Sequence, residues 1–304
     1  SPNIELVEIP AYNSLNNPNV EGVEILLAEG GNRTHYSGEL DWEDYLNFFT
    51  PSLKWVQLCS TGFSDNITNE IKEGKVTLTN MPNLHTNPIA ESVIAAMLDH
   101  AKSLKQRRTD QKNKQWNQLK SDELYSRTAL LIGLGNIGKR VARLCKAFDM
   151  KVIGTKRNVM PVDYVDKVFP LSELNQYLPE ADYIVVLVPH TSETEKMLGE
   201  QAFKVMKKSA YLINLGRGKV IDEQIMTEIL REERITGAFL DCFTEEPLPE
   251  TSELWNFENV LISPHDSHSS PYIGDRTVDN FCGNLKRYIN GESLNFICDP
   301  ERGY

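Results

Sequence analysis

Residues 128–157 read TALLIGLGNIGKRVARLCKAFDMKVIGTKR, and within them G-x-G-x-x-G falls on Gly133, Gly135 and Gly138. The hexapeptide alone constrains little, but its setting constrains a great deal. An apolar run at 129–132 precedes it, and Ile137, Val141, Leu144 and Phe148 recur behind it on one face of a predicted helix. A second apolar run follows at 151–155. Strand, glycine turn, helix and strand within about 30 residues form the β-α-β unit in which such a loop cradles a dinucleotide pyrophosphate. The first two glycines permit a tight turn and close approach of backbone to phosphate. The third lets helix and strand pack closely, and the positive helix N-terminus stabilises the anion. The expected cofactor-binding loop is therefore Gly133, Gly135, Asn136, Ile137 and Gly138.

The rest of the chain agrees with a parallel α/β fold. With 304 residues there is room for about two domains. Apolar strand candidates fall at 128–133, 151–155, 182–188, 209–215, 236–241 and 259–263, with helical patterns such as DEQIMTEILREE between them. The first hundred residues add the runs EILLAEG, LKWVQLCS and KVTLTN and the helical DWEDYLNFF. A single helix is expected from Pro88 to about Arg108, capped by Asn87, with Ile89, Val93, Ala96 and Met97 as its buried stripe. The basic stretch KSLKQRRTDQKNKQWNQLK lacks an apolar period and reads as a solvated helix end and a domain boundary. The terminal segment PYIGDRTVDNFCGNLKRYING places Phe281, Leu285 and Tyr288 on one helix face, suited to running back onto the first domain.

Composition excludes several classes. A formal charge of −11, from 32 basic and 43 acidic residues, argues against a nucleic-acid partner. No apolar run approaches the roughly 18 residues of a membrane span. The five cysteines are odd in number and scattered, without a C-x-x-C pair. They are expected as reduced thiols of a cytoplasmic protein, and no metal site is expected.

Where this type of loop is followed by an Asp or Glu, about 20 residues on, the acid binds the adenosine ribose. Here Lys156 lies 21 positions after Gly135, Arg157 follows it, and no acid occurs between Met150 and Val162. A carboxylate would repel a 2′-phosphate, whereas an ammonium and a guanidinium would pair with it. Charge-assisted hydrogen bonds, discounted for exposure, translate to roughly 10- to 1000-fold preference for NADP(H), with NAD(H) the less favoured cofactor.

Three later strand ends carry the chemistry. LINLGRGKVID delivers Arg217, GAFLDCFTEEPLP delivers Asp241, Glu245 and Glu246, and NVLISPHDSHSS delivers His265. Ligands of open α/β sheets bind at the carboxyl ends of the strands. A planar guanidinium suits the carboxylate and ketone of a 2-oxo acid. Hydride attack on that ketone creates an alkoxide that must be protonated, and imidazole titrates in the right range for His265 to do so. A carboxylate such as Glu246 would favour the imidazolium and fix the ring.

In GLGNIG, LVPHTSET, INLGRG, LDCFTEEPLP and SPH, the chain resembles the D-isomer-specific 2-hydroxyacid dehydrogenase family, most closely the NADP-preferring glyoxylate/hydroxypyruvate reductases. The spacings of 29 positions from Arg217 to Glu246 and 19 from Glu246 to His265 are those of the family. The resemblance implies two doubly wound parallel-sheet domains. A Rossmann dinucleotide-binding domain (98–272) would be inserted in a flavodoxin-like substrate domain (1–97 and 273–304). It implies that Arg217, Glu246 and His265 are the catalytic residues, and that Asp241 contacts the nicotinamide amide. Pro189 and Thr194 join the cofactor set, and the loop CSTGFSDN would hold the substrate carboxylate near Thr61, Gly62 and Phe63. A homodimer and a small 2-oxo or 2-hydroxy acid substrate are further implications. His268 is expected to be a bystander, and Asn83 stands where glycine is common. Two other readings stay open: a nucleotide-sensing, corepressor-like interaction protein on the same fold, or an NAD-dependent dehydrogenase of a phosphorylated hydroxy acid.

Overall fold

The computed structural model describes residues 4–7, 22–28, 42–47, 49, 51–63 and 66–301, with 44 and 45 described by their backbone alone. The first elements in chain order are β1 (Ile25–Ala28), α1 (Trp42–Asn47), β2 (Trp55–Leu58), α2 (Asn69–Lys72), β3 (Thr77–Thr79), α3 (Thr86–Lys102) and α4 (Leu104–Lys112). They are followed by β4 (Thr128–Ile132), α5 (Asn136–Ala147), β5 (Lys151–Thr155), β6 (Lys167–Phe169), α6 (Leu174–Tyr177) and β7 (Tyr183–Val186). The last are α7 (Glu200–Val205), β8 (Tyr211–Asn214), α8 (Glu223–Arg231), β9 (Gly237–Leu240), β10 (Val260–Ile262) and α9 (Ile273–Ile289). Two compact units result, one from the described residues of Ser1–Leu84 and Ser270–Tyr304, the other from His85–Ser269.

In the first unit β1, β2 and β3 form a parallel sheet in that order. All four residues of β2 are buried, so the strand is apolar except for Gln57. Trp55 anchors the unit: its Nε1 donates to Thr79 Oγ1 at 2.8 Å, and its ring stacks on Phe281 and Tyr288 of α9. That stacking is why the end of the chain returns to this unit.

The second unit carries a seven-stranded parallel sheet in the order β10-β9-β8-β7-β4-β5-β6. Side chains alternate along β4: Leu130 and Ile132 enter a core beneath α7 and α8, while Ala129 and Leu131 enter a second core beneath α3 and α5. Burial on both faces explains the continuous apolar strands. The order reverses between β4 and β7, which opens a crevice at the carboxyl ends of these two strands.

The structure corrects three expectations. The helix expected over 88–108 begins at Thr86 and ends at Lys102, because Ser103 adopts a left-handed conformation (φ 52°) and α4 restarts behind it. Asn87 lies inside the first turn and does not cap the helix. The basic stretch is not the boundary: Asp110 is buried, Lys105 pairs with Glu258, and Val93, Met97 and Ala101 of α3 pack in one cluster with Val141 and Cys145. The division lies instead between Leu84 and His85. Strand β6, three residues at the sheet edge, has too little apolar pattern to be seen in sequence. Among the described residues no helix is long and apolar enough to cross a membrane.

Candidate active site

The glycine loop connects β4 to α5, with each glycine shaped differently. Gly133 has φ 107°, and a Cβ there would lie 2.9 Å from Val188 Cγ1. A Cβ on Gly138 would lie 2.1 Å from the carbonyl of Gly133, so only glycine lets the helix sit on the loop. A Cβ on Gly135 would meet nothing within 4 Å. The space above Gly135 is open, and no side chain caps the first turn of α5. This is the cradle a pyrophosphate requires, and the group expected from the sequence fits it. Thr155 braces the loop, its Oγ1 accepting from the N–H of Gly133 at 3.0 Å and its carbonyl from that of Leu134.

Lys156 continues from Thr155 and lies half-buried, its Nζ 3.4 Å from the carbonyl of Leu134. Arg157 is exposed, with Nη2 3.3 Å from Glu193 Oε2. In the turn after β7, Thr194 Oγ1 donates to the Pro189 carbonyl at 2.7 Å and accepts from the N–H of Thr191 at 2.8 Å. Thr194 is thus a buried staple of the turn, and Pro189 is exposed at its start.

Arg217, Asp241, Glu246 and His265 follow β8, β9 and β10, adjacent strands of one sheet. Arg217 is exposed, and the loop carrying it is held by Asn214, whose Oδ1 accepts from the N–H of Gly216 at 3.1 Å. Glu246 bridges two groups: Oε1 accepts from the N–H of Phe243 at 3.0 Å and Oε2 lies 2.8 Å from His265 Nδ1. Glu245, its neighbour, is exposed. His265 sits at φ 54°, a conformation sparsely used by non-glycine residues and typical of sites where geometry matters more than local ease. Asp241 is buried, and its Oδ1 receives Ser263 Oγ at 2.5 Å and the N–H groups of Asp266 and Ser267 at 3.2 Å. The same carboxylate therefore orders the turn that presents His265.

The pKa of His265 is raised to about 10: hydrogen bonds to Cys242 and to Glu246 favour the charged ring, and burial opposes them. Burial pushes the Cys242 thiol up, so it stays protonated near neutral pH and Glu246 is the partner that carries charge. For Glu246, burial alone would raise the pKa. The bonds from His265 and Phe243, with the charges of His265 and Arg217, outweigh it and hold the carboxyl low. Near neutral pH the pair is imidazolium and carboxylate.

In the first unit, Asn80 Nδ2 donates to the Thr61 carbonyl at 2.6 Å and Ser60 Oγ to that of Gly62 at 2.8 Å. Phe63 is buried in the unit's core. The N–H groups of Thr61, Gly62 and Phe63 donate no bond among the described residues. Ser64 and Asp65 of this loop lie outside the described residues. In the second unit, His268 is exposed, its ring edge-on to His85 with centroids 5.0 Å apart.

Sequence reasoning missed Cys242, Asn214, Ser263 and Ser267. Asn214, two residues before a glycine turn, carried a readable signal for a side chain that bonds its own backbone. Cys242 did not; the fold alone brings its Sγ within 4.8 Å of ligand-type atoms of Glu246 and His265. A thiol, a carboxylate and an imidazole so placed form a set of metal-ligand types that cysteine spacing could not reveal, although the carboxylate and imidazole are already engaged with each other.

Residues 94–267 match the model of the D-isomer specific 2-hydroxyacid dehydrogenase NAD binding domain. Glyoxylate reductase of Thermococcus gammatolerans is 30% identical over 268 residues, spanning 85% of this chain and 79% of that protein. A D-isomer specific 2-hydroxyacid dehydrogenase family protein from Aeromonas salmonicida superposes with a TM-score of 0.79 at 31% identity, covering 91% of this chain and 85% of that one. The D-isomer specific 2-hydroxyacid dehydrogenase of Xanthobacter autotrophicus, solved with NADPH, superposes at 0.78 with 26% identity, covering 94% and 87%. This chain belongs to the D-isomer specific 2-hydroxyacid dehydrogenase family, oxidoreductases that use a nicotinamide cofactor on small hydroxy and oxo acids.

Proposed function

We propose that this chain reduces a small 2-oxo acid, with glyoxylate and hydroxypyruvate the first candidates, to the D-2-hydroxy acid with NADPH. The observation that carries the reading is the His265 Nδ1–Glu246 Oε2 contact of 2.8 Å at the carboxyl edge of the sheet that bears the glycine loop. Bound NADPH supplies the hydride. His265, charged near neutral pH, donates the proton to the developing alkoxide. Glu246 keeps the ring oriented and charged. Arg217, exposed and with no carboxylate partner among the described residues, binds the substrate carboxylate and ketone oxygen. Asp241 holds the nicotinamide amide while its Oδ1 orders the His265 turn.

Gly133, Gly135, Asn136, Ile137 and Gly138 hold the pyrophosphate, Pro189 and Thr194 shape the adjoining turn, and Lys156 with Arg157 meets the 2′-phosphate. The His85–Ser269 unit thereby becomes the cofactor domain and the other unit the substrate domain, where Thr61, Gly62 and Phe63 offer free N–H groups to a carboxylate. The relatives named as glyoxylate reductase and solved with NADPH support substrate and cofactor together.

Absorbance of reduced nicotinamide, followed with NADPH or NADH across a panel of 2-oxo acids, tests this. Loss of NADPH much faster than NADH with glyoxylate or hydroxypyruvate is expected. Tight NADPH binding with no turnover on any acid would overturn the reductase assignment.

A further inference from the structure

We propose that Lys139, Arg140 and Arg143 of α5, together with Lys156, form a phosphate-monoester site that receives the 2′-phosphate of the coenzyme. The proposal rests on the NADPH reading and extends it from the end of β5 to the neighbouring helix. These four cations line one groove, with Asp163 as the single carboxylate on its wall and Tyr164 beside it. In a chain of net charge −11, such a concentration of one sign is a local departure.

Eleven lysines and arginines among the described residues pair with a carboxylate, and these four do not. Lys146, Lys151, Lys207 and Arg231 all pair with carboxylates within 3 Å. None of Lys139, Arg140, Arg143 and Lys156 forms an ion pair among the described residues. Lys156 reaches only a carbonyl, that of Leu134, at 3.4 Å. The Nε of Arg140 is buried without a hydrogen-bond partner. A buried guanidinium N–H that donates to nothing is destabilising unless something supplies an acceptor.

The position on the helix sharpens the case. Residues 139, 140 and 143 lie in the first two turns of α5, near the end whose dipole favours an anion. Helices α7, α8 and α9 have Glu200, Glu223 and Asp275 in the first turn, as the dipole prefers. Helix α5 has no acid there, and neither do α3, α4 and α6. Residues 139 and 143 are four apart and 140 and 143 three apart, so they face the same side. Arg143 is further oriented by Tyr164, whose ring centroid lies 6.0 Å from its Cζ. A dianionic phosphate would supply the acceptor that Arg140 Nε lacks and the counter-charge of the groove. Arg140, with its partnerless Nε, then acts as a specificity-determining residue.

Equilibrium titrations with NADPH, NADH, adenosine 2′-monophosphate and inorganic phosphate test the site in wild type, Arg140→Gln, Arg143→Gln and Lys156→Gln. In wild type, NADPH should bind tighter than NADH, and inorganic phosphate should compete with neither at matched ionic strength. Arg140→Gln should weaken NADPH and adenosine 2′-monophosphate about tenfold or more, as expected for a lost charge-assisted bond, and leave NADH within about twofold. Arg143→Gln, on an exposed side chain that folding does not need, should shift the same pair of ligands by a smaller factor. Equal weakening of NADPH and NADH in either variant would mark a structural role and overturn the proposal. No change in either variant, with Lys156→Gln alone discriminating, would overturn the groove and leave the β5 reading standing. Phosphate competing equally with both coenzymes would assign the groove to a free anion instead. A wild type that binds both coenzymes alike would remove the NADPH reading and this inference with it.

Discussion

At the carboxyl ends of β8, β9 and β10, polar side chains are tied to named partners: Asn214 to Gly216, Asp241 to Ser263 and Ser267, Glu246 to Phe243 and His265. At the end of β5 and along α5, Lys139, Arg140, Arg143 and Lys156 have no carboxylate partner among the described residues. The two regions belong to one sheet and handle charge oppositely. The first fixes the ring of His265, the proposed proton donor, and the turn that carries it through short hydrogen bonds. The second gathers cations without carboxylate partners among the described residues, and the proposed 2′-phosphate would supply one. Substitutions in the first region should therefore act steeply, through geometry, and those in the second should act in graded steps, through charge.

The largest effect tests the rigid end. His265→Ala should lower turnover with a 2-oxo acid by about 10²- to 10⁴-fold, the range for loss of a positioned general acid, with NADPH binding by fluorescence nearly unchanged. Retained turnover would move the proton donor elsewhere. Glu246→Gln probes the same contact through pH. Reduction needs the imidazolium, so the rate should hold as pH rises and fall only as His265 loses its proton near about 10. Removing the carboxylate should lower that alkaline limb by the part of the shift that Glu246 supplies, while the Cys242 contact remains. An unshifted limb would show that Glu246 does not set the charge of His265.

Next in size is the charged end. Lys156→Asp combined with Arg157→Ala should raise the Michaelis constant for NADPH by roughly 10- to 1000-fold while changing that for NADH little. Equal changes for both would erase the distinction between the two regions. Gly218→Ala returns to the rigid end by a packing route. Its Cβ would lie 1.9 Å from the Phe243 carbonyl carbon, and Phe243 donates to Glu246. A destabilisation of about 1–3 kcal/mol, read from the urea midpoint, should accompany lost turnover. The smallest effect concerns Glu193→Gln, which removes the exposed partner of Arg157. Surface ion pairs contribute under about 1 kcal/mol, so the NADPH constant should improve by less than about fivefold. A large change would show that this surface pair, like the groove, is under strong electrostatic control.

Much of this was legible in the linear chain because it is local. The β4–α5–β5 unit follows from apolar period and three glycines, and six of the seven strands of its sheet are visible as apolar runs. Arg217, Glu246 and His265 could be singled out because each stands just past an apolar run, and strand ends of a parallel sheet share one edge. Pairings across the fold were not legible. That Cys242 lies under His265, that Ser263 and Ser267 share the carboxylate of Asp241, and that Arg140 meets Lys156 in one groove depend on which loops the packing brings together.

The break at Ser103 and the division at Leu84 and His85 belong to the same class. Neither is marked by an apolar period: Ser103 turns left-handed where the basic stretch begins, and the division shows only in which residues pack together, Val93, Met97 and Ala101 of α3 sharing a cluster with Val141 and Cys145. Taken alone, the amino-acid sequence determined the fold class, the cofactor loop and the chemical types at the sheet edge, since these depend on neighbours in the chain. Tertiary structure alone decided the charge state of His265, the partners that hold it and the helix face that completes the basic groove. Burial and hydrogen bonding between residues distant in sequence set those properties, and no local pattern encodes them.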